Sequence, residues 1–336
     1  MKILENYSLL HHNTFGIDTR CSRFAEYASV EELQAFLQSN PAGPLLHIGG
    51  GSNLLFTGDY AGTVLHSAIY GRKIIGQPSP EETLLWVGAG EVWDELVAWC
   101  VEQGLYGLEN LSLIPGEVGA SAVQNIGAYG VEAADRIVQV ETVCMQTGEA
   151  RTFRHDECRY AYRSSIFKHE LRGQYAVTAV VFRLARHFEP QLHYGGLRKE
   201  WEERGGGRLT AAALRDVIID VRRRKLPDPA ETGSAGSFFM NPVVDTATWL
   251  RIQAAYPDAP HYDVEGGIKL SAGWMIEQCG WKGRSLGRAG VYSKQALVLV
   301  NLGGATGSEV VQLAERVQAD VKARFGVDIT PEANYI

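Results

Sequence analysis

The sequence has no long apolar run. Residues 1 to 18 contain a single lysine and two adjacent histidines, but no apolar stretch of the length found in signal peptides. No later window approaches the roughly 20 apolar residues that a membrane-spanning helix needs. These absences argue against a secreted or membrane-embedded class, so we predict a cytoplasmic protein that does not bind membranes.

Cysteine and positive charge are also scarce. The five cysteines show no CxxC spacing, which argues against a disulfide framework and against a structural zinc site. We therefore predict reduced thiols and no metal. The net charge is −7, whereas sequence-independent binding of nucleic acid requires a basic surface. The sequence thus predicts no nucleic-acid partner, and any anionic ligand must be held by local groups.

The common nucleotide-binding fingerprints are incomplete. The loop Gly49-Gly-Gly-Ser-Asn53 follows a candidate strand, Leu45–Ile48, but it does not complete GxGxxG, and no Gly-Lys-Ser/Thr triplet of a Walker loop follows. Gly88-Ala-Gly90 also lacks the third glycine. A Rossmann domain is therefore the weaker interpretation. The Gly49 loop still offers bare backbone donors and two hydrogen-bonding side chains, which suit a diphosphate.

Small residues dominate the segment from Pro115 to Gly130. Four glycines, three alanines and a serine let the backbone approach a ligand closely and point N–H groups at it. The segment contains no Lys, Arg or Asp, and Val118, Val123 and Ile126 are spaced as if packed. A plain surface loop is the alternative, but the pattern favours a site for a phosphate-bearing cofactor.

The remaining pattern predicts an α+β protein. Ser29-Val-Glu-Glu32 is a capping box for a short helix that ends near Asn40. Periodicity predicts helices over residues 91–103, 271–278 and 308–325, and strands over 62–69, 83–87, 137–144, 150–153, 175–184 and 297–300. The polar, glycine-rich stretch 187–207 is typical of a lid or linker.

Two basic segments are candidates for binding an anion. Thr210 caps a predicted helix that ends in Arg222-Arg-Arg-Lys225, directly before the small-residue loop Glu231–Pro242. Such a basic end commonly complements the helix dipole, and an anionic ligand is the second interpretation. In Tyr160–Lys168, Arg163 is either a solvated residue at a strand edge or an anion clamp in a cleft. The sequence leaves both alternatives open.

Five motifs, taken together, resemble the UDP-N-acetylenolpyruvoylglucosamine reductase family, in its longer subtype with a tyrosine loop. They cover nearly the whole chain: Ile48-Gly-Gly-Gly-Ser-Asn-Leu-Leu55, residues 114–130, Tyr162-Arg-Ser-Ser-Ile-Phe-Lys168, Ala235-Gly-Ser-Phe-Phe-Met-Asn-Pro242 and Pro331-Glu332. The resemblance implies an FAD-binding domain of the p-cresol methylhydroxylase type, with two α+β subdomains, over residues 1–186. It further implies a lid or linker over 187–207 and a C-terminal α+β substrate-binding domain over 208–336.

The resemblance also implies roles for individual residues. Ser237 matches the proton donor of the family, and Arg163 and Glu332 match the residues that flank the substrate carboxylate. The residues expected to bind the UDP-sugar are Tyr194, Lys225, Asn241, Gln278 and Arg222. Those expected to contact FAD are Gly49, Gly50, Gly51, Ser52, Asn53, Leu54, Pro115, Gly116, Gly119, Ala120, Asn125, Gly127 and Ala128.

The implied reaction reduces the enolpyruvyl ether of UDP-N-acetylglucosamine to UDP-N-acetylmuramate in peptidoglycan precursor synthesis, with NADPH as hydride donor and non-covalent FAD. Arg163 and Glu332, the latter held protonated or sharing a proton, would stabilise charge on the carboxylate, and Ser237 would protonate carbon. We expect a monomer that acts on this small molecule. Met240 stands where Lys or another polar residue is expected, and Ala333-Asn-Tyr-Ile336 replaces the usual Val-Arg-Phe.

Two other functions are less well supported. A flavin-dependent alcohol oxidase would be expected to carry a tethering histidine near Ser52 and Asn53, and His47 is more simply a strand residue. A non-catalytic flavin or nucleotide-sugar binding module would have no reason to keep Ser237 together with Arg163 and Glu332.

Overall fold

The computed structural model describes residues 1–194 and 196–336. The helices are α1 (Val30–Gln38), α2 (Trp93–Glu102), α3 (Val118–Gln124), α4 (Leu197–Glu203), α5 (Ala211–Lys225), α6 (Thr246–Ala255), α7 (Ala272–Gln278) and α8 (Gly307–Phe325). The strands are β1 (Lys2–Ser8), β2 (Arg20–Tyr27), β3 (Leu45–Ile48), β4 (Leu54–Leu55), β5 (Tyr60–Ser67), β6 (Arg72–Ser79), β7 (Glu82–Gly88), β8 (Gly127–Ala128), β9 (Val131–Glu132), β10 (Ile137–Cys144), β11 (Ala150–Arg154), β12 (Tyr175–Ala185), β13 (Gly233–Ser237), β14 (Val243–Val244), β15 (His261–Val264), β16 (Gly267–Leu270), β17 (Ser285–Leu286), β18 (Ala289–Val291), β19 (Val298–Asn301) and β20 (Asn334–Tyr335).

The chain forms two compact units. The first contains residues 1–7, 21–50 and 61–222, and the second contains residues 8–20, 51–60 and 223–336. The predicted domain boundaries at 186 and 208 do not coincide with this division. Helix α5 is amphipathic, and its buried side chains Leu214, Val217 and Ile218 pack with Leu197 of α4 inside the first unit. The functional division of the chain stays a prediction.

The first unit contains two larger sheets. One has the strand order β1-β2-β5-β3, with β3 parallel to β5, and the other has the order β11-β10-β12-β7-β6 with antiparallel pairs. Two apolar clusters lie against these sheets, and the first also includes Val143 of β10 and Ala176 of β12. Leu33 of α1 packs with Leu65 in the first cluster, whereas Trp93 of α2 packs with Phe182 in the second, their rings 6.0 Å apart. Two clusters agree with the two subdomains that the resemblance implies.

The second unit is built around helix α8. Thr306 and Glu309 form its capping box, and Gly326 ends it with φ 68°. The helix buries Leu313 and Val317 in a cluster that also contains Phe238. Its sheets have the orders β13-β19-β18-β17 and β14-β16-β15, and β20 pairs in parallel with β4.

Most of the predicted elements are confirmed. Ser29 caps α1 by accepting a hydrogen bond from the Glu32 amide, and the hairpin of β10 and β11 forms as expected. Strands β1, β2 and β6 were not predicted. Helix α3, which covers Val118–Gln124 within the segment Pro115–Gly130, was not predicted. Residues 187–207 also contain a helix, α4, anchored by buried Leu197.

Among the described residues, no helix combines the length and the apolar character that crossing a membrane requires.

Candidate active site

Two glycine-rich segments face each other in the first unit. A Cβ atom on Gly50 would lie 3.4 Å from the Gly116 Cα, and one on Gly49 would lie 3.2 Å from the Glu117 Oε2. A side chain would crowd Glu117 at Gly49, whereas at Gly50 it would reach an ordinary contact distance from Gly116. Gly49, Gly50 and Gly116 thus form a narrow cradle of bare backbone, which fits a group such as the FAD diphosphate.

Helix α3 follows this cradle, and Gly119 on it is required for packing. The Gly119 amide donates to the Ala89 carbonyl over 2.9 Å, and a Cβ atom on Gly119 would lie only 2.9 Å from the Ala89 Cβ. A larger residue would push α3 away from the chain that follows β7. The FAD contacts of all the first-unit residues of this set stay predictions, for these glycines as for Pro115, Ala120, Gly127 and Ala128.

Asn125 follows the last residue of α3, and its side chain forms hydrogen bonds with neighbouring segments of the chain. It adopts φ 44°, its Nδ2 donates to the Glu132 Oε2 over 2.6 Å and to the Ala161 carbonyl over 2.9 Å, and its Oδ1 accepts from the Ala134 amide. These bonds use both side-chain protons and the side-chain oxygen. Asn125 therefore supports the neighbouring turn, and its predicted contact with FAD stays a prediction.

Arg163 lies in that turn and not at the edge of a strand. The turn is closed by a bridge between Ala161 and Ser164, and Arg163 adopts φ 54°, which is costly for a residue with a side chain. The Arg163 Nη2 donates to the Gly127 carbonyl over 2.5 Å, and the Lys168 Nζ donates to the Arg163 carbonyl over 3.0 Å. These contacts fix the guanidinium against the segment that follows α3.

A second arginine lies near Arg163 in the same unit. The pKa of Arg222 is lowered overall, chiefly by burial. Interactions with Tyr129 and Asp94 act in the opposite direction, and the positive charge of Arg163 adds to the lowering. Among the residues that the structure describes, none accepts a hydrogen bond from the buried Nε of Arg222. Buried donors are normally satisfied, so two neighbouring cations and an unused donor suit an anionic ligand.

Helix α5, which carries Arg222, is held by an ion pair that sequence reasoning missed. Arg215 donates from both Nη atoms to the Asp94 carboxylate, over 2.6 and 2.8 Å. Burial raises the pKa of Asp94, but the hydrogen bond and charge of Arg215 outweigh this, so the pKa is lowered. The two residues are 121 positions apart, and no local pattern in the sequence pairs them.

Tyr194, predicted to close on substrate, lies against the end of the glycine-rich segment. A Cβ atom on Gly130 would lie 3.2 Å from the Tyr194 Cβ, and the side chain is half exposed. The neighbouring Gly195 lies outside the described residues, so the predicted movement of this loop stays a prediction.

In the second unit, a β-bulge presents Ser237. On β13, Ser234 pairs with Val300 of β19 and Ser237 pairs with Val298. Three steps along β13 therefore match two steps along β19, which leaves one extra residue on β13. Gly236 makes the bend possible by adopting φ 67°. The bulge leaves Ser237 exposed at the end of its strand.

Glu332 pairs through its main chain with Phe238, the residue that follows Ser237. The Glu332 amide donates to the Phe238 carbonyl over 2.7 Å, and the Met240 amide donates to the Thr330 carbonyl over 2.9 Å. The segment that contains Glu332 therefore runs antiparallel to the chain that leaves Ser237. Two of the three predicted catalytic residues are brought together inside this unit.

The later part of the Gly49 loop belongs to the second unit and supports Glu332. The Asn53 Nδ2 donates to the Glu332 carbonyl over 3.3 Å, and the Asn53 carbonyl accepts from the Asn334 amide. A Cβ atom on Gly51, which adopts φ 66°, would collide with the His12 carbonyl. The predicted FAD contacts of this part stay predictions: Gly51, Ser52, Asn53 and Leu54.

Two of the residues predicted to bind the UDP-sugar lie at the ends of helix α7. The Asn241 Oδ1 accepts from the amide of Ala272, the first residue of α7, while Gln278 is its last residue and its carbonyl accepts from Arg324. Asn241 and Gln278 thus lie at opposite ends of one short helix. Lys225, the last residue of α5, is exposed.

The first unit combines a close glycine backbone with two neighbouring arginines, and the second pairs the Glu332 segment with the chain after Ser237, which suits an enzyme that uses a phosphate-bearing cofactor. Family models agree: residues 22–154 match an FAD-binding domain, and residues 228–336 match the UDP-N-acetylenolpyruvoylglucosamine reductase C-terminal domain. The chain is 53% identical over 334 residues to the UDP-N-acetylenolpyruvoylglucosamine reductase of Bacteroides fragilis strain YCH46, covering 99% of both chains. It belongs to the UDP-N-acetylenolpyruvoylglucosamine reductase family.

Further similarities agree with this assignment. The reductase of the same name from Azoarcus sp. strain BH72 is 48% identical over 96% of this chain and 95% of its own. The crystal structure of the enzyme from Thermus caldophilus matches the fold with a TM-score of 0.69 at 24% identity, over 99% of this chain and 98% of that one. The predicted family, the reductase class, the FAD cofactor and the pairing of an FAD-binding domain with a C-terminal domain are confirmed.

Proposed function

We propose that this chain reduces the enolpyruvyl ether of UDP-N-acetylglucosamine to UDP-N-acetylmuramate with NADPH, and that it holds FAD without a covalent bond. Relatives that match 99% of the chain are named for this reductase activity. Bound FAD supplies the hydride-transfer chemistry between NADPH and the substrate. The observation that supports the proposal most directly is the main-chain pairing of Glu332 with Phe238, the residue that follows the exposed Ser237.

The chain's own residues then have distinct tasks. The backbone at Gly49, Gly50 and Gly116 holds the cofactor diphosphate. Arg163, fixed by the Gly127 carbonyl, presents a planar cation to the substrate carboxylate, where negative charge grows during reduction. Glu332 holds a proton at the same carboxylate, and Ser237 gives its hydroxyl proton to the substrate carbon. A hydroxyl is a weak acid, so this step depends on fixed geometry.

Binding of the UDP moiety is assigned to exposed or partly exposed side chains: Tyr194, Lys225, Asn241 and Gln278. The buried guanidinium of Arg222 adds a second positive charge near Arg163. We further infer that the enzyme acts as a monomer in the cytoplasm without a metal, and its net charge of −7 supports the absence of a nucleic-acid partner.

Anaerobic spectroscopy tests the proposed function. The purified protein is expected to be yellow, to bleach when NADPH is added, and to regain its colour with the enolpyruvyl UDP-sugar. Acid precipitation should release all the colour into the supernatant. Bleaching without recovery by this substrate would refute the proposed reaction while leaving the flavin assignment intact.

Replacing Lys225 with Ala is expected to raise the KM for the UDP-sugar about tenfold with less than about a twofold change in kcat. A cation at the diphosphate binds the ground state and the transition state alike. Steady-state kinetics measures both constants. Arg223→Ala, an exposed cation two residues earlier on the same helix, is the matched control and should change neither. A fall in kcat alone would place Lys225 in the chemistry.

A further inference from the structure

A buried histidine lies directly behind the proposed cofactor cradle. His66 on β5 pairs with Ile48, the last residue of β3 before Gly49. Its side chain is about 9% exposed, and the ring stacks with Phe24 at a centroid distance of 6.0 Å. His66 is therefore held in one position at the strand end from which the cradle begins.

Both ring nitrogens of His66 face carboxylates. The Nε2 lies 2.9 Å from the Glu117 Oε1, and the Nδ1 lies 3.3 Å from the Glu26 Oε2. Two carboxylates that act as acceptors suit an imidazole that donates from both nitrogens, which is its positively charged form. Burial lowers the pKa of His66, but the hydrogen bonds and charges of Glu117 and then Glu26 outweigh it, and the pKa is raised.

Glu117 connects this histidine to the cradle. Its carboxylate lies against the glycine backbone, with the Oε2 3.2 Å from a Cβ position on Gly49 and the Oε1 3.6 Å from one on Gly50. A bare carboxylate here would repel a cofactor diphosphate. Protonated His66 places a positive charge 2.9 Å from the Glu117 Oε1 and so offsets part of this repulsion.

Among the described residues, two further ionisable groups that interact with His66 or Glu117 are neutral. Burial, and then the charge of His66, lower the pKa of His47 on β3 to about 4, so His47 stays neutral and its Nε2 lies 2.6 Å from the Tyr27 hydroxyl. Burial, followed by Glu117, Glu26 and Glu91, raises the pKa of Tyr70, which also stays neutral. The charge that faces Glu117 is therefore that of His66.

We propose that His66 in its protonated form is a positioning residue for FAD: its charge offsets that of Glu117, and its hydrogen bond holds the Glu117 carboxylate against the Gly49–Gly50 backbone. This inference rests on the proposed contact between the cradle and the cofactor diphosphate. A group whose pKa is raised by its partners contributes while it is protonated, so the contribution is present at low pH and is lost as pH rises through that pKa. FAD should therefore leave the protein faster at high pH.

The test is the rate of FAD release from the full-length holoprotein, followed by flavin fluorescence between about pH 6 and about pH 9. The natural protein should release FAD about tenfold faster at the upper end, as expected for loss of one charge-assisted contact. His66→Gln should release FAD at this fast rate at every pH. Glu117→Gln removes the repulsion, so release should be slow at both ends of the range. His66→Gln combined with Glu117→Gln should restore slow release.

Controls separate this inference from the cradle itself. His169→Gln, an exposed histidine in the same unit, should follow the natural protein. Gly50→Ala adds a methyl group at an ordinary contact distance from Gly116, so the protein should fold but release FAD quickly at every pH. If Gly50→Ala retains FAD normally, the cradle assignment fails. The role of His66 is refuted if Gly50→Ala releases FAD quickly but release from the natural protein does not depend on pH. It is also refuted if release from Glu117→Gln keeps the pH dependence of the natural protein. Neither outcome requires His66→Gln to fold.

Discussion

Replacing Ser237 with Ala is expected to slow reoxidation of the reduced flavin by the enolpyruvyl substrate about 10²-fold to 10⁴-fold, the usual loss for a positioned acid. Reduction by NADPH should stay nearly normal, because that step delivers no proton to substrate carbon. Stopped-flow absorbance measures the two half-reactions separately. Ser237 is exposed at the end of β13, so the substitution leaves no buried donor unsatisfied and the fold should tolerate it.

Ser234→Ala is the matched control, since Ser234 lies on the same strand before the bulge. Its two half-reactions should match those of the natural protein. If Ser237 only supports the turn, its replacement would give near-normal turnover with a small loss of stability. Equal slowing of both half-reactions, or of neither, would exclude Ser237 as the acid.

Replacing Arg163 with Met is expected to lower kcat/KM for the UDP-sugar by about 10²-fold to 10³-fold, since it removes a fixed donor from a position where charge develops. Arg163→Lys should restore only part of the activity, because an ammonium group cannot form the paired, planar hydrogen bonds of a guanidinium. Steady-state kinetics of both variants, with the flavin content of each measured from its absorbance, provides the comparison.

The chain offers a close control for Arg163. Arg159 lies four residues earlier, also has a positive φ, of 47°, and makes an exposed ion pair with Glu170 at 3.3 Å. Arg159→Met should keep full activity, because exposed pairs contribute little. If both substitutions lower kcat/KM equally, the effect comes from the conformation of the segment and not from a clamp on the carboxylate.

The sequence predicted secondary structure well where the structure of a segment depends mainly on residues close together in the chain. The capping box at Ser29, the periodic face of α8 and the turn between β10 and β11 each depend on neighbouring residues. Helix α3 was missed because glycine and serine have low helix propensity, and only packing against Ala89 selects the helical form. Tertiary contact overrode local preference there.

The candidate site shows the same division. The glycine segments were found from composition, and Ser237 and Glu332 from their motifs, because these signals are local. The sequence could not decide whether Arg163 is a solvated residue at a strand edge or an anion clamp in a cleft, since its position depends on a turn in which Asn125 holds the Ala161 carbonyl. The pairing of His66 with Glu117 joins residues 51 positions apart and has no local signature.

The pairing of β20 with β4 has a consequence for how the chain folds during synthesis. The core of the second unit includes Phe15, Ile17 and Leu55, yet most of its other members come from residues 223–336. Main-chain partners such as Thr57 and Ile336 are 279 positions apart. During synthesis, the early segments of the second unit therefore emerge before their partners and stay unpaired while the first unit is translated. Contacts between residues so far apart in the sequence also form slowly. A fragment limited to residues 228–336 would lack these early segments, so cutting the chain between its two units would not release two self-sufficient pieces.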